Sequence, residues 1–199
     1  MLNIKTVPVG IYEENCYILV DEDTKDCVII DAGEEAGKIE NEIKSMGGKP
    51  KYLILTHGHF DHVGAVEEIC SKYSIPFYIS RLDEEYMEKD NSVFGTLPKA
   101  SGYLKEGDIL KFASYEIKVI ETPGHTKGGL CFFVDNKVFT GDTLFQGSVG
   151  RTDFPGGDMR EIISSIKNKL LPLGDDVIVY PGHGPSSSIK FEKIRNPYL

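Results

Sequence analysis

All five histidines of this sequence lie in three short glycine-containing motifs. The motifs are His57-Gly-His59-Phe-Asp61-His62, Pro-Gly-His125-Thr and Pro-Gly-His183-Gly. Each motif follows a strand-like run, and a fourth such run, Val138-Phe-Thr-Gly, precedes Asp142. Loops at strand ends are where functional sites are usually built on a rigid scaffold. We therefore expect a fold that brings four strand ends together at one edge of its sheets.

The rest of the sequence alternates short strand-like runs with amphipathic helical segments. Apolar residues at helical spacing predict helices that contain residues 39–46, 63–73 and 158–171, with a shorter helix over 82–89. Helices with one apolar stripe cover the outer faces of sheets, so the sequence predicts an α/β fold. β-Branched and aromatic residues predict strands over residues 4–9, 15–20, 27–30, 52–56, 76–80, 109–112, 115–121, 130–134, 137–140 and 177–180.

Composition restricts the partners and the location that we expect. With 22 Lys and Arg against 31 Asp and Glu, the net charge is −9 and the pI is about 5.1, which argues against binding to nucleic acid or anionic membranes. Apolar runs such as residues 16–20 fall far short of the ~20 residues of a membrane span. The N-terminus lacks the pattern of a secretory signal, and the four cysteines form no Cys-x-x-Cys pair, so we expect free thiols in a reducing cytoplasm. The length predicts a single domain over residues 1–199.

The spacing of the candidate ligands predicts two metal positions. In an extended segment His57 and His59 point to one side and can bind one ion, while the adjacent Asp61 and His62 suit a second. Imidazole and carboxylate without a nearby thiolate favour Zn, with Fe or Mn as alternatives, over Cu(I) or an iron–sulfur cluster. Two divalent ions that share a carboxylate lower the pKa of a water between them towards neutrality. A structural zinc site takes four ligands, often with Cys, so this larger set indicates a catalytic centre.

In their order along the chain, these ligands resemble the five-motif pattern of the metallo-β-lactamase superfamily. The resemblance extends from about Ile4 to Pro185. It implies a four-layer αββα sandwich with two mixed sheets, helices on both outer faces and the site at one sheet edge. It also implies the ligand set: His57, His59 and His125 for one metal, Asp61, His62 and His183 for the other, and Asp142 bridging the two.

Within the superfamily, the sequence is similar to the short single-domain members of the glyoxalase II-like (hydroxyacylglutathione hydrolase-like) group. Residues 140–155 carry this likeness, with the sequence Thr-Gly-Asp-Thr-Leu-Phe-Gln-Gly-Ser-Val-Gly-Arg-Thr-Asp-Phe-Pro. Glyoxalase II proper has a helical C-terminal domain that helps to hold glutathione, whereas sixteen residues follow His183 here. Its glutathione-contacting Lys-Phe-Tyr segment is replaced by Arg151-Thr-Asp-Phe154. The resemblance therefore implies hydrolysis of a small acyl thioester like S-lactoylglutathione, and it leaves the thiol carrier open.

The implied reaction gives catalytic roles to two carboxylates. Asp142 is expected to bridge the ions, and Asp61 both to bind metal and to orient the metal-bound hydroxide that attacks the thioester. A thiolate leaves readily, because a thiol has a pKa of about 8.5, so no strong general acid is needed. No histidine remains outside the ligand set for such a role, which favours a thioester over an amide or lactam.

Two further residues are candidates for contact with the substrate. Arg151 has a planar guanidinium suited to a carboxylate, and it can equally form a salt bridge to Asp153 or Asp158. Phe60, inside the first motif, can line the substrate groove or pack beneath its loop. The long segment Asn91–Gly107 can cover the site or simply connect two elements.

Two other functions stay open at this point. Persulfide dioxygenases share the fold and a related Gly-Arg-Thr-Asp-Phe signature. The resemblance to them implies a mononuclear iron site, whose ligands here would be His57, His125 and Asp142. Pro155, after that signature, favours the hydrolase-like group. A non-catalytic metal-binding protein needs less than this complete ligand set. β-Lactamase activity is disfavoured for a chain with no visible export signal, and the oligomeric state is left open.

Overall fold

The computed structural model describes residues 1–90 and 92–199 of the chain. The strands are β1 (Leu2–Val9), β2 (Glu14–Asp21), β3 (Asp26–Ile30), β4 (Lys49–Ile54), β5 (Phe77–Ile79), β6 (Gly102–Tyr103), β7 (Ile109–Phe112), β8 (Tyr115–Glu121), β9 (Leu130–Val134), β10 (Lys137–Gly141), β11 (Leu144–Phe145), β12 (Ser148–Val149), β13 (Ile178–Pro181) and β14 (Ser187–Ser188). The helices are α1 (Ala36–Ser45), α2 (Phe60–Val63), α3 (Val66–Tyr73), α4 (Arg81–Lys89), α5 (Met159–Ser165) and α6 (Ile189–Arg195). Helix α5 continues as a π-helical segment, Ile166–Leu170, and a 3₁₀ turn, Leu171–Leu173.

The longer strands form two mixed sheets. The first has the order β1-β2-β3-β4-β5-β6, antiparallel from β1 to β3 and parallel from β3 to β6. The second has the order β14-β13-β10-β9-β8-β7. Because β9 is antiparallel to both β8 and β10, and β10 is parallel to β13, the strands β8, β10 and β13 run in one direction. The loops that carry His125, Asp142 and His183 therefore leave the same side of this sheet.

Alternation along β2 explains how the first sheet is buried on both faces. Ile18 faces the outer helices and joins Ile39 of α1 in one apolar core. Its neighbour Leu19 points the other way and lies with Phe132 of the second sheet in a core between the two sheets. A third core, around Ile162 of α5, covers the outer face of the second sheet. These layers confirm the predicted four-layer αββα sandwich.

The structure divides the helix that was predicted over residues 63–73. Helices α2 and α3 are separate, and the break includes Gly64. A Cβ atom at Gly64 would lie 2.4 Å from the carbonyl oxygen of Gly33, and the amide of Ala65 donates to the carbonyl of Ala32. The close approach of the loop after β3 therefore ends α2, a contact between distant segments that helical spacing does not reveal.

The other predicted elements are present, with ends that shift by up to three residues. The side chain of Asp158 caps α5 by accepting hydrogen bonds from the amides of Arg160 and Glu161. Strands β6, β11, β12 and β14 were not predicted, because two residues are too few to show an alternating pattern. Among the described residues, no helix combines the length and the apolar character that a membrane crossing requires.

Candidate metal centre

Two groups of ligand atoms lie side by side where the strands end. In each group, one atom from each of three side chains lies within 4.8 Å of the others. The carboxylate of Asp142 lies between the groups, with Oδ2 3.6 Å from His125 Nε2 and Oδ1 3.4 Å from His62 Nε2. The structure brings together all the predicted ligands: His57, His59 and His125 in what we call the three-histidine group, Asp61, His62 and His183 in the second group, and Asp142 between them.

Asp31, which the sequence analysis missed, orients two of these histidines. Its Oδ2 accepts hydrogen bonds from Nδ1 of His62 at 2.9 Å and from the hydroxyl of Thr56 at 2.7 Å. Because the Thr56 hydroxyl hydrogen points to Asp31, its oxygen accepts from Nδ1 of His57 at 3.0 Å. Both imidazoles are thereby fixed with Nε2 towards the other ligand atoms. The two groups together with Asp142 are called the cluster below. Asp31 directly follows β3, so the strand-end pattern that revealed the other ligands also marks it.

Backbone carbonyls orient two more histidines. Nδ1 of His125 donates to the carbonyl of Arg151 at 2.8 Å, and Nδ1 of His183 donates to the carbonyl of Tyr12 at 3.0 Å. Nε2 of His125 faces Nδ1 of His59 at 2.9 Å. The hydrogen bonds made by Nδ1 therefore fix the orientation of the His125 and His183 rings and leave Nε2 of each ring to face the other ligand residues. An outer hydrogen bond fixes the tautomer of many metal-binding histidines in this way.

Several buried atoms of the cluster lack a hydrogen-bond partner within the described part of the chain. They are Nε2 of His57, His59 and His62 and Oδ1 of Asp142. A buried polar atom without a partner costs about 1–3 kcal/mol. Imidazole nitrogens and carboxylate oxygens are ligands that zinc and related divalent ions take. The donor set therefore fits a metal centre.

The pKa values of the ligand side chains bear on whether they can bind a metal cation. Burial lowers the pKa of His57 well below its usual value, lowers that of His59 to about 3 and lowers that of His125. Imidazole must be neutral to bind metal, so these side chains are in the required form at neutral pH. Burial opposes the charge of Asp142, yet its pKa is lowered because the histidines His62 and His125 adjoin it. Burial also opposes the charge of His62 and His183, but the carboxylates beside them raise the pKa of both. The three-histidine group is therefore neutral, whereas metal binding by His62 and His183 would compete with their protonation.

Glu14 is a second acidic residue that the sequence analysis missed. It is fully buried at the start of β2, with Oε1 3.8 Å from Nδ1 of His62, and neither carboxyl oxygen has a hydrogen-bond partner among the residues described. Burial raises its pKa well above the usual value, which keeps a further negative charge away from Asp31. Its place in the apolar run Glu-Asn-Cys-Tyr-Ile-Leu was the available signal.

A cavity of about 270 Å³ opens above the cluster. Phe60 lines it with 42% of its surface exposed, and its ring lies 5.6 Å from that of Tyr12. Of the two possibilities for Phe60, the structure thus shows the groove position. Arg151 lines the same cavity, with its guanidinium 3.7 Å from the ring centre of Phe154, and it also forms the salt bridge to Asp153. The structure thus shows the salt bridge to Asp153, and contact of Arg151 with a substrate stays a prediction.

Part of the long segment after α4 contacts the first motif. Val93 lines the cavity, and its carbonyl accepts a hydrogen bond from the amide of Phe60 at 3.0 Å. Phe94 is buried against the ring of His59 at 4.8 Å. Asn91, the first residue of the predicted segment, lies outside the described residues. Residues 93 and 94 are therefore part of the wall of the site, which agrees, for this part of the segment, with the first of the two alternatives that the sequence left open.

Sequence comparison gives the chain a family context. The family model described as "Metallo-beta-lactamase superfamily" matches residues 9–183. Among curated proteins, the chain is 39% identical to the hydroxyacylglutathione hydrolase GloC of Haemophilus influenzae, over 100% of this chain and 98% of that protein. The similarity is thus not limited to the ligand motifs.

Solved structures that are similar to this chain also match it over nearly its whole length. The BLEG-1 B3 metallo-beta-lactamase is similar with a TM-score of 0.92 and 34% identity, over 99% of both chains. TTHA1623, solved in a di-iron-bound form, has a TM-score of 0.86 and 35% identity, over 98% of this chain and 100% of that one. ETHE1 from Myxococcus xanthus has a TM-score of 0.83 and 25% identity, over 98% of this chain and 83% of that one.

Proposed function

This chain belongs to the metallo-beta-lactamase superfamily, and we propose that it is a metal-dependent hydrolase of acyl thioesters. One observation carries the proposal: two adjoining groups of ligand atoms lie on either side of Asp142, and this cluster contains buried atoms without a hydrogen-bond partner among the described residues. The full-length similarity to a hydroxyacylglutathione hydrolase supports the choice of thioesters within this superfamily of metallo-hydrolases.

We assign one divalent ion to the three-histidine group and a second to Asp61, His62 and His183, with Asp142 as a ligand of both. Zinc is the proposed metal because the set contains nitrogen and oxygen donors. The similarity to TTHA1623 in its di-iron-bound form supports iron as an alternative. When bound, such ions act as Lewis acids and lower the pKa of water towards neutrality.

The chain's own residues supply orientation and proton acceptance. Asp61 lines the cavity, and its Oδ2 lies 3.3 Å from Nε2 of His183. Burial opposes the charge of Asp61, but the hydrogen bond from His183 together with the charges of His62 and His183 outweighs it and lowers the pKa, so the carboxylate is ionised at neutral pH. An ionised Asp61 can accept a hydrogen bond from the attacking water. The departing thiolate needs no proton, because a thiol has a pKa of about 8.5.

Arg151 is expected to recognise an anionic group of the substrate. Arg151→Ala should lower kcat/KM for anionic thioesters about 10- to 100-fold, mainly through KM, because a hydrogen bond to a charged group contributes about 1.5–3 kcal/mol. Neutral thioesters should be affected much less. Steady-state kinetics on matched neutral and anionic substrates measures the difference.

Arg160→Ala is the control for that experiment. Arg160 is an exposed arginine at the start of α5 that does not line the cavity within the described residues. Its removal changes the net charge by the same amount and should leave both substrates unaffected. If Arg151→Ala lowers kcat/KM equally for neutral and anionic substrates, Arg151 supports the structure of the cavity wall and does not bind the charge of the substrate.

A substrate panel on protein with quantified metal tests the proposed function. S-lactoylglutathione and other acyl thioesters should be hydrolysed, and Asp142→Asn should serve as the inactive control. The similarity to BLEG-1 makes a β-lactam a required member of the panel. Oxygen consumption with glutathione persulfide and iron, without thioester turnover, would favour the dioxygenase alternative. No turnover of any substrate with any metal would favour a non-catalytic metal-binding protein.

A further inference from the structure

Asp83 is a buried acid on a helix whose other residues are half-buried or exposed. It lies in the first turn of α4, is fully buried and is not among the proposed metal ligands. No cation of the described residues forms an ion pair with it. Burial raises its pKa to about 6, against the opposing effect of three hydrogen bonds. A carboxyl group buried without a cation is costly to retain, which calls for an explanation of what it does.

The hydrogen bonds of Asp83 reach both loops of the three-histidine group. Oδ2 accepts from the amide of Gly58 and from the hydroxyl of Thr126, each at 2.9 Å, and Oδ1 accepts from the amide of Gly128 at 2.8 Å. Gly58 separates His57 from His59 in the sequence, and Thr126 follows His125. A single carboxylate therefore joins the segment with two of the histidines to the segment with the third.

Glycines allow α4 to approach these loops closely. A Cβ atom at Gly128 would lie 2.5 Å from Oδ1 of Asp83, and one at Gly58 would lie 2.9 Å from the sulfur of Met87 on the same helix. The three groups around Asp83 are all donors in these bonds, and an ionised carboxylate is a pure acceptor. Asparagine would offer one acceptor oxygen and turn an NH₂ group towards at least one donor. The site is thus specific for a carboxylate.

We propose that Asp83 is a positioning residue that joins the two loops of the three-histidine group, so that their ligand nitrogens converge. The identification of this group as a metal site rests on the proposed function. None of the three bonds reaches Asp61, His62 or His183, which are held by other contacts such as those of Asp31 and Tyr12. Loss of Asp83 should therefore affect one metal position and spare the other.

Stepwise titration of metal-free protein with Co²⁺, followed by visible absorption, tests this proposal. In Asp83→Asn one equivalent should bind about 10- to 100-fold more weakly, the usual effect of removing a group that orients metal ligands, and the other should bind as in the wild type. Thr126→Val removes one of the three bonds and should give a smaller loss in the same equivalent. This variant keeps the proposal testable should Asp83→Asn fail to fold.

Glu84→Gln is the matched control on the same helix. Glu84 accepts hydrogen bonds from the amide of Ala100 and the hydroxyl of Tyr103, neither of which belongs to a ligand loop. Its replacement should leave both Co²⁺ affinities unchanged even where it lowers the melting temperature. Unchanged affinities in folded Asp83→Asn and Thr126→Val, or equal weakening of both equivalents, would overturn the proposal. The measured quantity is Co²⁺ affinity and not activity. Absence of thioester turnover would therefore refute the proposed substrate and leave the role of Asp83 in metal binding unaffected.

Discussion

Replacement of Asp142 by asparagine is expected to lower kcat/KM for a thioester by about 10³-fold or more and to reduce bound metal in both groups. Asp142 Oδ1 lies 3.4 Å from Nε2 of His62 and 3.7 Å from Nε2 of His183, while Oδ2 lies 3.6 Å from Nε2 of His125. Asparagine has nearly the same shape but no negative charge and one acceptor oxygen. It therefore removes the charge that two adjacent cations would share.

Metal analysis and steady-state kinetics on the same preparation measure this effect. Asp175→Asn is the control, because Asp175 is an exposed aspartate that pairs with Lys193 and is neither one of the ligand residues nor part of the cavity wall. That variant should keep the metal content and the rate of the wild type. Two full equivalents of metal and an unchanged rate in Asp142→Asn would contradict the assignment of Asp142 as a shared ligand.

The position of the ligands could be predicted from the sequence because each ligand segment comes after the end of a strand. Strands β8, β10 and β13 run in one direction, so the residues after them meet at one sheet edge, and β4 delivers His57 to the same place. This geometry needs only the order of strands and ligands along the chain. The same reasoning would have identified Asp31, which directly follows β3.

Asp83 and Glu14 could not be predicted in the same way. Asp83 lies in the charged run Asp-Glu-Glu, which is typical of a solvent-exposed helix face, and its burial depends on how α4 docks against two distant loops. Glu14 is an acid at the start of a fully buried strand, and only the assembled layers place it beside His62. In both cases the role of the carboxyl group depends on contacts between segments far apart in the sequence.

Removal of bound metal is expected to lower the melting temperature of the wild-type protein by about 8–16 °C. A ligand present at a thousand times its Kd stabilises the folded state by about 4 kcal/mol, and each kcal/mol shifts Tm by about 2–4 °C in a protein of this length. The physical source lies in the buried nitrogens of His57, His59 and His62 and the Oδ1 of Asp142, which have no hydrogen-bond partner among the described residues. Thermal unfolding followed by circular dichroism, before and after dialysis against a chelator, measures the shift.

Asp142→Asn supplies the control for this experiment, because a variant that holds little metal should change little on chelation. Restoring one divalent ion at a time to metal-free wild-type protein should recover Tm, and the ion that recovers most of it at equal concentration is the one these ligands bind most tightly. An unchanged Tm after complete removal of metal would mean that the buried atoms find other partners without it. The cluster would then be a polar network stable in its own right, and the fit of these residues to a metal centre would lose its main physical support.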